Sequence, residues 1–488
     1  MTDRRAIALV ALILVTISVL TGFRLAAVTG PLELAAQVTL IVSFALLAVL
    51  DLRLAVAIAV LELALGGASG RWTVFPGGFS GRLLLDGIVF AVALWRLVQR
   101  RRSGQPLVLG RYTVHAVAVG VLLAAIWIPL GVVNGWQPQD AWGDGNGYLF
   151  FAFALVLAAL AVDSDLAWLR RWLLVACTAV AVLTAGLALM AVFVLPDFVM
   201  VRRALLNTLD QGGAISLSDD HLRLALGSGI YLIVGLALVT WEVVRDARRA
   251  WPWIVLLVIG IALLASYTRA FWLAAAVVVV LVALVGLPRL RGAMLAAAAG
   301  GALVLGAATF ILAAGWSFPG YLYERIETTV AVPDDSGNAF ALDFGVVSNA
   351  IKIHQARVLL GHIAERPIQG WGFGAIAPDY RYGQIYSYEL SYLAVAYKTG
   401  IIGLLLFMSF PLRLVIDAVR VRLGRIRPAL GVEPREAAVP IAVLLSLLAV
   451  GATNPYLVAS FGLAPIVLMV CWLDPFEIRK RADIGLPP

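Results

Sequence analysis

Solid apolar runs of about 16 to 23 residues, separated by short polar joints, recur from one end of this chain to the other. A helix of that length, at about 1.5 Å per residue, crosses a hydrocarbon core about 30 Å thick. The runs are continuous rather than alternating, which predicts helices and excludes a transmembrane barrel. They fall at 6–21, 32–50, 54–65, 83–98, 112–133, 148–162, 169–195, 224–241, 253–267, 270–287, 293–314, 390–412, 437–451 and 457–472, with 54–65 the shortest. The pattern therefore predicts an all-α fold: a polytopic transmembrane bundle of about 12–14 spans.

One interruption is much longer than the others. Residues 315–389 stay polar and carry Pro319, Pro333 and Pro378. Within them Ile351, Val358, Leu359 and Ile363 recur at helical spacing, which predicts a short helical lid over 349–366. The organisation expected is one membrane domain, 1–488, with a large extracytoplasmic loop at 315–389. The apolar run after Met1 and Arg5 lacks a small-residue cleavage pattern and reads as the first span.

Composition sharpens this. Of 488 residues, 62% are hydrophobic and 14% charged, far from the balance of a soluble domain. The net charge of +8 does not point to nucleic acid, because the Lys and Arg residues gather at helix ends. Arg4 with Arg5, Arg53, 100–102 with Arg111, Arg170 with Arg171, Arg245 with Arg248 and Arg249, Arg289 with Arg291, 413–435 and 479–481 all fall on the cytoplasmic side if both termini do. The segments 66–82, 134–147, 196–223, the joint at Thr268 and Arg269, and 316–389 then share the opposite face. The two cysteines, Cys177 and Cys471, both lie in apolar runs and form no disulfide or metal framework.

The candidate chemistry collects on that face. Arg269, at a junction between two apolar runs, is costly near hydrocarbon and faces an anion, a carboxylate or lipid phosphates. Arg223 opens the next outer junction, where function competes with an ion pair to Asp219 or Asp220. Lys352, Arg357 and Arg366 lie in the long loop; taken with Arg223 and Arg269 they suggest a pocket for a strongly anionic group such as a diphosphate. Arg202 and Arg203 belong to that pocket or to lipid headgroups. Glu389, with Tyr380, Tyr382 and Tyr386 upstream, stands before an apolar helix, either complementing the helix dipole or acting as general base on a sugar hydroxyl. Glu62, Asp86 and His115 either bond between helices or line a path. Asp163 and Asp165 read as helix-flanking charges. Gly370, Gly372 and Gly374 do not follow a strand and make a poor nucleotide motif; they allow a tight turn at the membrane surface and close approach of backbone to a ligand.

The block RPIQGWGFG (366–374), followed by ELSYLAVAYKTGIIGLLLF (389–407), resembles the signature of the O-antigen ligase and polysaccharide polymerase superfamily. SYTRAFW (266–272) and TNPYL (453–457) resemble further elements of it, so the likeness covers roughly 223–466. The resemblance implies a glycosyltransferase of the bacterial cytoplasmic membrane. It would move a glycan from a polyprenyl-diphosphate carrier to a glycan acceptor at the outer face, among membrane lipids, without cofactor or metal. Arg269 would bind the diphosphate, with Lys352 or Arg357 as a second cation. Glu389 falls where ligases commonly have a histidine, which favours a polymerase-like branch at least equally. The alternative is a lipid-linked oligosaccharide flippase, which would keep its charges near mid-membrane. A polyprenyl-monophosphate glycosyltransferase would show an acidic pair in 23–33, where only Glu33 stands.

Overall fold

A computed structural model of the chain describes residues 4–25, 30–66, 81–105, 109–163, 166–193, 215–218, 221–224, 227–266, 268–286, 344–377, 388–429 and 432–473. The described part is almost entirely helical. Its helices are α1 (Arg4–Leu25), α2 (Pro31–Leu50), α3 (Leu52–Leu65), α4 (Gly81–Arg102), α5 (Arg111–Val133), α6 (Pro138–Gly145), α7 (Phe153–Asp163), α8 (Ala167–Phe193), α9 (Ile230–Arg245), α10 (Ala250–Ala265), α11 (Arg269–Gly286), α12 (Phe344–Glu365), α13 (Ser391–Arg422), α14 (Ala438–Gly451) and α15 (Ser460–Leu468). Among the described residues six stretches are long and apolar enough to cross a membrane: Pro31–Leu50, Arg111–Val133, Pro138–Ala161, Ala167–Ala188, Ser391–Arg422 and Pro434–Gly451. The protein is a multi-pass helical membrane protein.

Residue chemistry sets which helices are central. α9 is apolar on every side and buried almost throughout, from Ile230 to Trp241, against α8, α10, α11 and α14. α2 instead exposes Leu34, Val38, Val42, Leu46 and Val49, a stripe at helical spacing suited to lipid. A second group packs α2, α3, α4 and α7 together, and α5 joins it to α13, on which α12 packs. Between α3 and α4, Glu62 accepts from Arg82 Nε at 2.9 Å and Nη2 at 3.2 Å, which satisfies two buried charges inside the bundle. His115 likewise meets Ser409 across α5 and α13 at 2.9 Å.

The basic joints meet at one end. Asp417, 3% exposed at its side chain, gathers Tyr112 Oη at 3.0 Å, Arg420 at 3.0 Å, Arg111 at 3.6 Å and Arg413 at 3.8 Å. Arg170, Arg171 and Arg245 line one cleft with Glu436 and Trp472. α5 and α13 run from this end to the opposite one, where α12 packs on α13.

Several local expectations change. The apolar run beginning at 224 becomes a helix only from Ile230, because Ile215–Ser218 (β1) and His221–Leu224 (β2) pair as an antiparallel hairpin. The run 148–162 starts as a 3₁₀ turn, Asn146–Ala152, preceded by the unanticipated α6. The lid helix is longer than its apolar spacing, spanning Phe344–Glu365. The span 390–412 is interrupted: Gly400 takes φ 64° and ψ −173° inside α13, leaving a short first piece, 391–399, and a long one beyond it. The run 293–314 lies outside the described residues.

Candidate functional site

The break at Gly400 and the glycine run form one construction. An interrupted helix leaves carbonyls and N–H groups without intrahelical partners, which is tolerable at membrane depth only when protein satisfies them. Here residues 367–374 do so. Trp371 and Gly372 donate their N–H groups to the carbonyls of Tyr397 and Lys398 at 3.0 and 2.8 Å, while Ile401 N–H reaches Pro367 O at 2.8 Å. Phe373 N–H bonds Trp127 O at 2.9 Å, and Trp127 Nε1 donates to Gln369 O at 2.7 Å.

Glycine is required for that fit. Gly370, Gly372 and Gly374 all have φ between 68° and 85°. A Cβ at Gly372 would sit 2.3 Å from Gly131 N, and one at Gly370 would sit 2.5 Å from Gly400 N. The glycines bring backbone against backbone: the close approach expected to a ligand is instead to α5 and α13.

Arg366 belongs to this lock. Its guanidinium lies 4.1 Å above the Trp371 ring and donates to Asn134 Oδ1 at 3.0 Å, while Asn134 Nδ2 donates to Trp371 O at 2.9 Å. Deeper in, Lys398 and Asp144 form a buried pair, Nζ to Oδ2 2.5 Å, with side chains 8% and 17% exposed. Gly374 N–H donates to the same Oδ2 at 2.7 Å. This pair ties α6, the glycine run and the first piece of α13 together. Sequence reasoning passed over both residues, although a lysine inside an apolar run is itself a signal.

Glu389 stands just before α13, between two pinned neighbours. The Tyr388 hydroxyl oxygen accepts the Ala377 N–H at 2.7 Å, and Leu390 N–H donates to Gln355 Oε1 at 3.1 Å. One residue on, Ser391 donates to Asn454 O at 2.6 Å. The Glu389 carboxylate faces Lys352 of α12, Nζ to Oε2 3.4 Å, with side chains 43% and 27% exposed. Lys352 is on the same stripe of α12 as the buried Gln355 and Leu359; Arg357 is exposed on another side.

Arg269 opens α11, half-buried. Two residues on, the buried Phe271 ring lies 5.5 Å from that of Tyr456, in the joint whose Asn454 holds Ser391. Arg269 is therefore at the same end of the bundle as Glu389, on a separate element. Arg223 pairs in register with Ser216 in the hairpin, where the backbone alone is described. Tyr386, Tyr380, Tyr382, Arg202 and Arg203 lie outside the described residues. Among the described residues no three of His, Cys, Asp and Glu converge as a metal-binding group.

No curated protein matches the chain. A family match covers about a third of it and takes in Arg269, Lys352, Arg357, Arg366 and Glu389, while Arg223 and the TNPYL joint fall outside. Over residues 254–408 this membrane protein carries a domain that matches the family model described as O-antigen ligase, the superfamily its SYTRAFW and RPIQGWGFG blocks resemble.

Proposed function

We propose that the protein is a membrane glycosyltransferase that transfers or polymerises a glycan from a polyprenyl-diphosphate carrier onto a glycan acceptor. The reaction takes place at the outer face of the bacterial cytoplasmic membrane. The observation that carries this reading is the Lys352–Glu389 pair, a cation and a carboxylate side by side at the polar start of a broken helix. It falls within the O-antigen ligase domain, as does Arg269.

The chemistry is displacement at an anomeric carbon. Glu389 takes the proton of the acceptor hydroxyl as its oxygen bonds to that carbon; the bond to the diphosphate oxygen breaks, and the carrier diphosphate leaves with its electron pair. Attack from the face opposite the leaving group inverts the sugar. Arg269 and Lys352 neutralise the charge growing on the diphosphate, the task a divalent metal performs elsewhere. A half-exposed ion pair contributes only about 0–1 kcal/mol, so a diphosphate readily draws Lys352 away and frees the carboxylate. The pair is thus the resting arrangement of a base and a phosphate ligand.

The test is incubation of the purified protein in nanodiscs with a polyprenyl-diphosphate oligosaccharide, with products resolved by length. A ladder identifies a polymerase; a single shift on a separate acceptor identifies a ligase. Translocation of the carrier without any glycosyl transfer overturns the reading in favour of a flippase.

A further inference from the structure

A second concavity lies on the other side of α6. It is a cleft of about 470 Å³ between α4, α5, α6 and the 3₁₀ turn that follows, with Ser460 at its edge. α4 supplies Arg82, Asp86 and Phe90 at steps of four, together with Gly87, so that wall extends about 12 Å along the helix. Much of the remaining lining is apolar, with Phe90, Val121 and Phe153. The polar groups collect toward the start of α4: Asp86 with Asn146, and Trp142, 50% exposed. Asp86 Oδ1 is buried and has no hydrogen-bond partner among the described residues.

We propose that this cleft binds an amphiphile with an uncharged, hydroxyl-bearing glycosyl head, its chain lying against Phe90 and Val121. Asp86 is part of the cleft lining and offers a bound head a carboxyl group to hydrogen-bond. An anionic head is disfavoured, because Arg82, the one guanidinium among the described residues of the lining, is already engaged through two nitrogens with Glu62. A zwitterionic phospholipid head brings a phosphate into the same place, beside two carboxyl groups and that engaged guanidinium. A sugar matches the polar groups: its hydroxyls donate to Asp86, exchange bonds in both directions with the Asn146 amide, and its C–H face covers the indole of Trp142.

On the glycosyltransferase reading, on which this role rests, the cleft is the seat of the acceptor. α6 then has two working faces. Ala141 and Asp144 pack on the glycine run and Lys398, and Trp142 and Asn146 face the cleft.

The experiment is photolabelling of the full-length protein in nanodiscs with a diazirine-bearing alkyl maltoside. Adducts are mapped by mass spectrometry and chased with dodecyl maltoside, dodecyl phosphate or dodecylamine. Labelling is expected on α4 and α5 around Phe90 and Val121, chased by the glycoside only. Gly87→Leu places a side chain where a Cβ meets nothing within 4 Å, on a helix that favours leucine, and is expected to cut labelling by about tenfold without unfolding. Asp86→Leu is expected to do the same, while Asp86→Asn, which keeps an acceptor oxygen, retains labelling within about threefold. Equal chase by the phosphate or the amine, loss of labelling in Asp86→Asn, or undiminished labelling in Gly87→Leu overturns the proposal. Glu389→Gln is expected to leave labelling unchanged; labelling of the unmutated protein together with no glycosyl transfer by it upholds the cleft while rejecting the catalytic reading.

Discussion

Glu389 and Lys352 are 37 positions apart in sequence and 3.4 Å apart in space, each on a backbone fixed by neighbours rather than by itself. Gln355, three residues from Lys352, is buried and holds Leu390, one residue after Glu389. Losing a general base costs about 10²- to 10⁴-fold. We expect Glu389→Gln to lower glycan transfer by that much, with expression and membrane insertion unchanged, and Arg269→Ala to do likewise. Near-wild-type product from either variant, read on a gel of glycan lengths, removes that residue from the mechanism. Lys352 and Arg357 separate by position on α12. A charge-assisted contact is worth about 1.5–3 kcal/mol, so Lys352→Ala should lower kcat/KM by about 10- to 100-fold. Arg357→Ala, on an exposed side, should change it by less than about threefold. Equal effects of the two substitutions would reject the pairing as the relevant geometry.

At the scale of elements, the candidate site is built on a broken helix whose gap residues 367–374 fill. Gly372→Ala and Gly400→Ala each combine a positive φ with contacts of 2.3 and 2.1 Å to backbone, so each should lower stability by about 2–5 kcal/mol. Gly361→Ala, on exposed α12 with open space around it, should be neutral or raise stability by up to about 1 kcal/mol. Thermal midpoints in detergent distinguish the three, and an unaffected Gly372→Ala would show that the loop can leave its slot. The Asp144–Lys398 pair makes a stricter case. Removing one partner strands a buried charge at about 3–5 kcal/mol, whereas replacing both by apolar residues costs much less. Asp144→Leu with Lys398→Met is therefore expected to be more stable than Asp144→Leu alone, which strands the buried Lys398 ammonium. A double variant at the sum of the two singles would count against direct coupling.

At the scale of the molecule, charge separates the two ends. Asp417 draws together arginines from α5 and α13, and the opposite ends of those helices hold Asn134 and Glu389. If the basic end is cytoplasmic, Gly361→Cys reacts with an impermeant maleimide added to intact cells, and Ser103→Cys reacts only after permeabilisation. The native Cys177 and Cys471 are buried and should stay silent. The reverse pattern would invert the orientation and place Glu389 inside the cell.

What the sequence determined by itself is what depends on composition along the chain. Apolar runs gave the helical membrane class, because hydrocarbon permits few other solutions. The basic joints were also legible, and Glu389 and the loop cations stood out as polar candidates beside apolar runs. Tertiary structure alone decided which of them meet. Gly400 reads as one more residue in an apolar run, and its break exists because 367–374 supplies the missing hydrogen-bond partners from another part of the chain. For the same reason Arg366, grouped by charge with the anion-binding candidates, lies against Trp371 and Asn134. Asp144 and Lys398, unremarked in their own segments, became the buried tie between them. Local pattern records what a residue must avoid, such as hydrocarbon or a steric clash; its partner is set by packing between distant segments, which no local period encodes.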